Sequence, residues 1–345
     1  MRRLAMRLPI AAAIPLGLAV DVLLAGPASA HVKWFCAYDV AGQPQGLENV
    51  LCPDFEFLTG LSILALMAGC LLEGTPIGAA VLRAFDRATR IVRDNIETIF
   101  RAACAFFFIA IWGLGGVLLT PELKTSSVLV GAIQLGIAAG MLSRATMPLS
   151  ALGIFVLFDI GVWNYGAFHL ADYPIFLGVA AYLALTGARI GFFGARPIDV
   201  LRWAAGITLM WASIEKWAYP EWTFPLFVQH PEMTMGFTPD FFMRAAGAVE
   251  FALAFSLVWT PLVRRVGATM LTAMFVSAVF QFGKIDLIGH SLIVVALLGI
   301  IADDAAAEVR LRHSWMIPFG YATALTLFLA AYYGVHAGLF GTAIL

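Results

Sequence analysis

The sequence predicts an all-α, polytopic membrane protein with about ten transmembrane helices after a signal peptide. Three observations predict this class: 61% of the 345 residues are hydrophobic, only 12% are charged, and the mean hydropathy is +0.88. A soluble domain is about half apolar and a quarter charged, so a soluble enzyme is excluded. The formal net charge of -1 gives no basic field, so we expect a lipid bilayer and not nucleic acid as partner.

Residues 1–30 have the pattern of a secretory signal peptide. Arginines near the start precede an apolar run, which ends in the small residues Ala28-Ser29-Ala30. We expect cleavage after Ala30. An uncleaved first transmembrane helix is the alternative, because the apolar run is long for a signal. Residues 31–54 then form an exported amino segment.

Ten later stretches are long enough, or nearly so, to cross a hydrocarbon core of about 30 Å as helices of about 20 residues. They cover residues 55–73, 98–119, 127–145, 147–165, 173–190, 198–217, 241–260, 265–284, 287–303 and 316–338. Helices are expected because each closes its backbone hydrogen bonds within itself, and no stretch alternates as a barrel strand would.

Basic residues predict the orientation. Loops on one side carry most of the arginines, and the positive-inside rule places that side in the cytoplasm. These are Arg83, Arg87, Arg90, Arg93, Arg144, Arg189, Arg196, Arg264, Arg265, Arg310 and Arg312. We therefore expect a multi-pass membrane protein whose mature amino terminus is on the exported side. Residues 79–97, which hold the first four of these arginines, are predicted to form an amphipathic helix on the cytoplasmic surface.

Weak self-similarity predicts two tandem four-helix units, residues 98–192 and 193–304. The matching stretches are Gly131-Ala132-Ile133-Gln134 with Gly247-Ala248-Val249-Glu250, and Asn164-Tyr165-Gly166 with Gln281-Phe282-Gly283. An even number of spans returns the chain to its starting side, so the units are related in parallel. Residues 55–97 supply a preceding transmembrane helix and the amphipathic helix, and residues 305–345 supply a C-terminal transmembrane helix.

The second unit resembles the DoxX family of bacterial membrane proteins. The resemblance rests on Leu201-Arg202, Gly206-Ile207-Thr208, Ile214-Glu215-Lys216-Trp217 and Gly247-Ala248-Val249-Glu250. It implies a membrane subunit similar to the quinone-reducing part of thiosulfate:quinone oxidoreductase. Quinone and a redox partner subunit are the cofactor and partner that it implies. The exported amino segment and the flanking helices lie outside the family's usual single unit.

Glu250, Glu215 and His290 are the candidate catalytic residues. Glu250 falls about nine residues into its helix, which is about 13 Å deep. An unpaired charge there costs several kcal/mol. Glu250 is therefore either a proton relay or a protonated packing group, since Gln134 occupies the sister position. Glu215 and Lys216 are adjacent and point about 100° apart, so they do not face each other.

Lys216, Lys284 and Asp286 are the candidate substrate-binding residues. Lys216 would contact an anion or a quinone oxygen, with snorkelling to the interface as the alternative. Lys284, Asp286 and His290 fall in one short exported turn, where they could bind an anion or pass protons. The alternative is a solvated turn in which Lys284 interacts with a helix end.

The exported amino segment offers two further hypotheses. After cleavage at Ala30, the free amine and imidazole of His31 could chelate copper together, against the alternative of an ordinary mature terminus. Cys36 and Cys52 are predicted to form a structural disulfide in an oxidising compartment. A redox-active pair is the alternative.

Two other functions fit the pattern of residues. A duplicated helical unit with one mid-membrane carboxyl is also typical of a small proton-coupled transporter. The chain has no phosphate loop or paired-histidine motif, which fits a non-catalytic assembly or anchoring subunit. Whether the chain is an enzyme is left open by the sequence, with a quinone-linked oxidoreductase subunit as the leading hypothesis.

Overall fold

The computed structural model describes residues 32–304 and 314–344. Across these ranges the chain is helical, and the only β pairing consists of isolated bridges. The predicted all-α class is therefore confirmed. The signal segment, its cleavage site and His31 lie outside the described residues.

Ten long helices form at the ten predicted stretches. They are α3 (Pro53–Glu73), α6 (Ile96–Leu114), α7 (Val128–Gly140), α8 (Met147–Tyr165), α10 (Pro174–Ala188), α11 (Pro197–Ala218), α13 (Pro239–Ser256), α14 (Pro261–Phe282), α15 (Lys284–Ala302) and α16 (Ile317–Phe340). The shorter helices are α1 (Val32–Phe35), α2 (Leu47–Val50), α4 (Pro76–Ala88), α5 (Arg90–Asp94), α9 (Ala167–Leu170) and α12 (Phe224–Gln229).

Six helices of the described chain are long and apolar enough to cross a membrane: α3, α6, α8, α14, α15 and α16. These helices indicate a lipid bilayer environment. The other four long helices do not meet that standard. α7 and α10 are apolar but have only 13 and 15 residues. α11 and α13 have 22 and 18 residues but carry several charged side chains.

Local sequence explains where the helices begin and end. Proline occupies the first turn of α3, α10, α11, α13 and α14, where its missing N–H removes no helical hydrogen bond. Gly166 ends α8 at φ 86°, and Gly283 ends α14 at φ 75°. Only glycine adopts such angles freely. The two glycines are the last residues of the matching stretches found in the sequence.

The long helices pack as two sets. The first set is α6, α7, α8 and α10, and the second is α11, α13, α14 and α15; within each, consecutive helices pack together. The last helix of each set also packs against the first helix of the other, α10 on α11 and α15 on α6. A two-fold relation between parallel units would produce this pattern, although the duplication itself stays a prediction. α3 packs on α13 and α14, and α16 packs on α11.

The bundle has two chemically different ends. The amino-segment end consists of residues 32–52 and the connections 115–127, 166–173, 219–238 and 341–344. The arginine end consists of the connections 74–95, 141–146, 189–196, 257–260 and 303–304. These two names are used below.

The arginine end differs from the sequence prediction. The predicted amphipathic helix is broken at Thr89 into α4 and α5. Arg264 and Arg265 lie in the first turns of α14, fully buried, and not in a solvated loop. Arg265 donates to Asp86 of α4 at 2.7 Å, and Arg264 Nη2 lies 3.4 Å from an Asp303 oxygen. These arginines hold helices together.

Candidate functional site

Lys33 of α1 reaches into the junction between the two helix sets. Its Nζ lies 2.5 Å from Asp172 Oδ2 and 2.5 Å from Glu215 Oε1, and its side chain is only 3% exposed. Asp172 precedes α10 of the first set, and Glu215 is near the end of α11 of the second set. Lys33 therefore connects the amino segment to both sets by two buried ion pairs.

Two aromatic rings complete the surroundings of Lys33. Its Nζ lies 5.7 Å from the ring centre of Tyr38 and 5.5 Å from that of Trp222. Trp222 is held in place by stacking on Tyr219, with ring centres 4.1 Å apart. Aromatic faces attract an ammonium group, so the rings add to the attraction of the carboxylates.

A second polar group lies beside Lys33 at the amino-segment end of the first set. Glu122 Oε1 is 2.9 Å from His169 Nε2 and accepts a hydrogen bond from the Tyr173 hydroxyl. Burial disfavours the Glu122 carboxylate, but the His169 contact and the Lys33 charge keep the pKa of Glu122 below its usual value. Glu122 is thus an additional negative charge close to the ammonium.

Burial disfavours the charged forms of both Lys33 and Asp172, but neighbouring charges offset this effect only for Lys33. Burial disfavours the Lys33 ammonium, yet the attraction of Asp172 and Glu215 is larger and raises the pKa of Lys33. Burial raises the pKa of the Asp172 carboxyl despite the Lys33 charge. The cation is therefore permanent at neutral pH, whereas Asp172 is the group that accepts a proton more readily than an exposed aspartate.

Glu250 pairs with Lys216 across α13 and α11. Glu250 Oε2 lies 2.6 Å from Lys216 Nζ, and the two side chains are 9% and 25% exposed. Lys216 and Glu215 are neighbours in sequence but have different partners, as their spacing predicts. Two ion pairs therefore project from adjacent positions of α11.

His290 lies on α15, enclosed by aromatic rings. Its Nδ1 is 3.1 Å from Asp286 Oδ2, one helical turn earlier. The rings of Trp34 and Phe275 lie 5.1 and 4.7 Å away from it, centre to centre. A Cβ added to Gly289 would lie 1.9 Å from Trp34, so glycine there permits the amino segment to approach α15 closely.

A cavity of about 90 Å³ joins these groups. Lys33, Asp172, Glu215, Glu250 and His290 all line it. They come from the amino segment and from both helix sets. The lining is mostly apolar, but the ionisable groups on it offer partners to water molecules, and the volume has room for several of them.

A second cavity, of about 190 Å³, lies on the other side of Lys33. Lys33 and Glu215 line both cavities, and Lys216 lines only the second. Lys284 and Asp286 line neither cavity, although Asp286 contacts the first through His290. The structure thus brings together Glu215, Glu250 and His290 of the predicted site, with Lys216 beside them and Lys284 apart.

The sequence analysis missed Lys33, Asp172, Glu122 and Tyr173. One signal was available in the sequence: Glu122 and Asp172 lie between helices at the same end of the bundle as Lys33. Opposite charges placed at one end of an apolar bundle tend to pair, because an unpaired charge there is costly.

The predicted disulfide is absent from the structure. Cys36 and Cys52 are both free thiols. Cys36 packs in a small cluster around Leu226 and Phe282, whereas Cys52 precedes α3 and packs against the main core. The two cysteines are separated because the amino segment folds across the end of the bundle and does not close on itself.

The copper hypothesis has no ligand cluster in the described part of the chain. His31 is outside it, and no group of three or more His, Cys, Asp or Glu able to hold a metal is found within it. Three histidines of the described chain each lie next to a carboxylate: His169 by Glu122, His230 by Glu232 and His290 by Asp286.

Comparison with known proteins adds no identity to this geometry: no protein-family model, curated protein or solved structure matches the chain.

Proposed function

We propose that the protein transfers protons in a membrane through the cavity between its helix sets, as a subunit of a quinone-linked oxidoreductase system. One observation carries the proposal: five ionisable side chains, Lys33, Asp172, Glu215, Glu250 and His290, line one buried cavity. Ionisable groups inside membrane proteins are costly, and they typically line proton or substrate pathways.

The groups have distinct roles in this proposal. Glu250 accepts and releases the proton, and Lys216 stabilises its charged form. His290 passes protons through its ring nitrogens, one of which accepts a hydrogen bond while the other donates one. Asp286 orients the imidazole from one turn away. Water in the cavity passes the proton between His290 and the carboxyl groups.

Quinone chemistry would take place outside the cavity. Small-molecule sites measure about 300–1,000 Å³, so a cavity of about 90 Å³ is too small for a quinone ring. Two lateral grooves of about 650 and 570 Å³ have almost wholly apolar linings and a size that suits a quinone. The resemblance to the DoxX family supports this assignment. We place the protein in a bacterial inner membrane with ten spans and the amino-segment end exported.

A proton-coupled transporter is the second candidate. The Lys33–Glu215 contact separates two cavities at the junction of two parallel helix sets. A carboxylate between two cavities can alternate between them when its ion pair opens, which is the geometry that alternating access requires.

The experiment uses protein purified gently from its native membrane. Bound quinone and copurifying redox subunits are quantified. Proton uptake is followed with a pH-sensitive dye while the preparation reduces decylubiquinone with thiosulfate, the donor that the resemblance implies: two thiosulfate ions give one tetrathionate and two electrons, and the quinone takes up these electrons with two protons. We compare wild type with Glu250→Gln and with a control, Glu232→Gln, in an exposed loop. The proposal predicts that Glu250→Gln loses quinone-coupled proton uptake and keeps its melting temperature, while the control retains both.

Other results would support the alternatives. A preparation without quinone or redox subunits, which moves protons in liposomes only when a solute gradient is applied, would identify a transporter. Full tolerance of Glu250→Gln, with no proton transfer in any assay, would contradict a relay and indicate an assembly or anchoring subunit.

A further inference from the structure

We infer that the pocket around Lys33 is a binding site for a primary alkylammonium ion, and that Lys33 is its tethered occupant. The inference does not depend on the proton relay. It concerns which ligand the pocket recognises when the amino segment withdraws.

The contacts around Nζ select an ammonium group. Asp172 and Glu215 accept its hydrogens at 2.5 Å each, and Tyr38 and Trp222 present ring faces. Contacts as short as these need N–H donors, so a quaternary ammonium would not fit. A primary ammonium has three donors and suits the two carboxylates together with a third acceptor.

Acceptors for that third donor are present and unused. Asp172 Oδ1 and Thr120 Oγ1 are buried and have no hydrogen-bond partner in the part of the chain that the structure describes. Asp172 and Thr120 are 8% and 3% exposed, and both residues line the cavity next to Nζ. Buried polar atoms without partners are unusual in folded proteins, and they point to a ligand or water in this space.

The local charge also favours a cation. Glu122 adds a third carboxylate beside Asp172 and Glu215, and its charge acts on Lys33. Without Lys33, these three acidic groups lose the cation that they share, and the neighbouring His169 is charged only when protonated. The pocket therefore attracts a cation from solution whenever Lys33 is withdrawn.

The alkyl part of the ligand also has space. Lys33 lies between cavities of about 90 and 190 Å³, and it lines both of them. Leu209 and Ala212 add apolar surface to the first cavity. A short alkyl chain can thus follow the path of the lysine side chain.

Besides the side-chain contacts of Lys33, Trp34 and Cys36, the amino segment is anchored by hydrogen bonds that lie after the pocket. His336 Nε2 lies 2.8 Å from the Val40 carbonyl, Tyr219 donates to Gly42 O at 2.8 Å, and Gln45 N donates to Ala218 O at 2.7 Å. These contacts can remain while residues 32–38 move away. Withdrawal of Lys33 then needs only a local opening, which costs less than global unfolding.

The test uses Lys33→Ala in the full chain and n-propylammonium, which contains the atoms that this substitution removes. We expect Lys33→Ala to lower the melting temperature and n-propylammonium to restore most of the loss in a saturable manner. Neutral n-propanol at the same concentration should restore little of the melting temperature. Tetramethylammonium at the same ionic strength should also restore little of it. In the double variant Lys33→Ala/Glu215→Gln, n-propylammonium should restore less of the melting temperature. In the exposed-lysine control Lys124→Ala, n-propylammonium should not raise the melting temperature.

Wild type tests the tethered occupancy. A tethered group acts as a ligand at an effective concentration of roughly millimolar or more, so wild type should need at least about tenfold more n-propylammonium than Lys33→Ala. At that concentration, hydrogen exchange of residues 32–38 should increase, and an equal concentration of sodium chloride should leave it unchanged.

Each contrary result overturns a defined part of the inference. Equal effects of n-propylammonium and n-propanol would mean that the pocket does not recognise an ammonium group. If n-propylammonium rescues Lys33→Ala in a saturable manner but leaves the hydrogen exchange of residues 32–38 in wild type unchanged, Lys33 is a permanent counter-ion and not a displaceable occupant. If Lys33→Ala fails to fold, purification with n-propylammonium should recover folded protein, and equal recovery with n-propanol would contradict the inference.

Discussion

Replacing Lys33 by methionine removes a buried cation while nearly keeping its volume. Both carboxylate oxygens lie 2.5 Å from Nζ, so they are at most about 5 Å apart. At an effective dielectric constant of about 20, two negative charges at that distance repel by about 3 kcal/mol. Breaking a buried ion pair by removing one partner costs a similar amount, about 3–5 kcal/mol. We expect Lys33→Met to be destabilised by about 3 kcal/mol at neutral pH.

The loss should depend on pH in a definite direction. Burial already raises the pKa of Asp172, and removal of the Lys33 charge raises it further. A carboxyl whose pKa is higher in the folded than in the unfolded state stabilises the fold at low pH, and this contribution disappears as the pH rises through the folded pKa. Because an unfolded aspartate has a pKa of about 3.9, the difference between wild type and Lys33→Met should be small near pH 4 and grow towards pH 8.

The assay is unfolding in detergent micelles at several pH values. Lys33→Met is compared with wild type, with the exposed-lysine control Lys124→Met, and with Lys33→Met/Asp172→Asn. The double variant should recover part of the loss, because the repulsion between Asp172 and Glu215 is then removed. A loss that does not change between about pH 4 and pH 8, or that the second substitution does not reduce, would refute the reasoning.

Three further predictions concern other contacts. Glu250→Gln should change unfolding stability by less than about 1 kcal/mol, since its partner Lys216 is near the surface and can turn to water. Infrared spectra of this variant should lose one carboxyl band. Gly289→Ala should cost about 1–3 kcal/mol and increase hydrogen exchange in the amino segment, because its Cβ meets an indole ring, whereas Gly338→Ala meets no atom within 4 Å and should not. Asp303→Asn should cost about 3–5 kcal/mol in thermal unfolding, because the buried Arg264 and the partly exposed Arg196 lose their carboxylate partner, while the more exposed Asp304→Asn should cost about 1 kcal/mol or less.

Local features of the sequence predicted the helices well. Apolar runs located all ten long helices, because apolar composition and length act within each segment. The matching glycines Gly166 and Gly283, noted in the sequence only as part of a repeat, end two helices, since each has a backbone angle that other residues avoid. The adjacency of Glu215 and Lys216 correctly excluded a contact between them, which follows from helix geometry alone.

Contacts between distant segments were not predictable in the same way. The cysteine spacing favoured a disulfide, but the amino segment carries Cys36 to a cluster apart from Cys52. Arg264 and Arg265 were assigned to a loop because arginine is usually exposed, yet both are buried against α4 and Asp303. Composition describes how often a residue type is exposed, and not which partner a fold provides for it.

The sequence by itself determined that the chain is helical, that it suits a lipid bilayer, and which segments form its long helices. Only the tertiary structure decided that Lys33 meets Asp172 and Glu215, 139 and 182 residues away along the chain. The physical reason is the range of the interactions: a helix depends on neighbours within about four residues. A buried ion pair depends on which segments the packing of the whole bundle brings together.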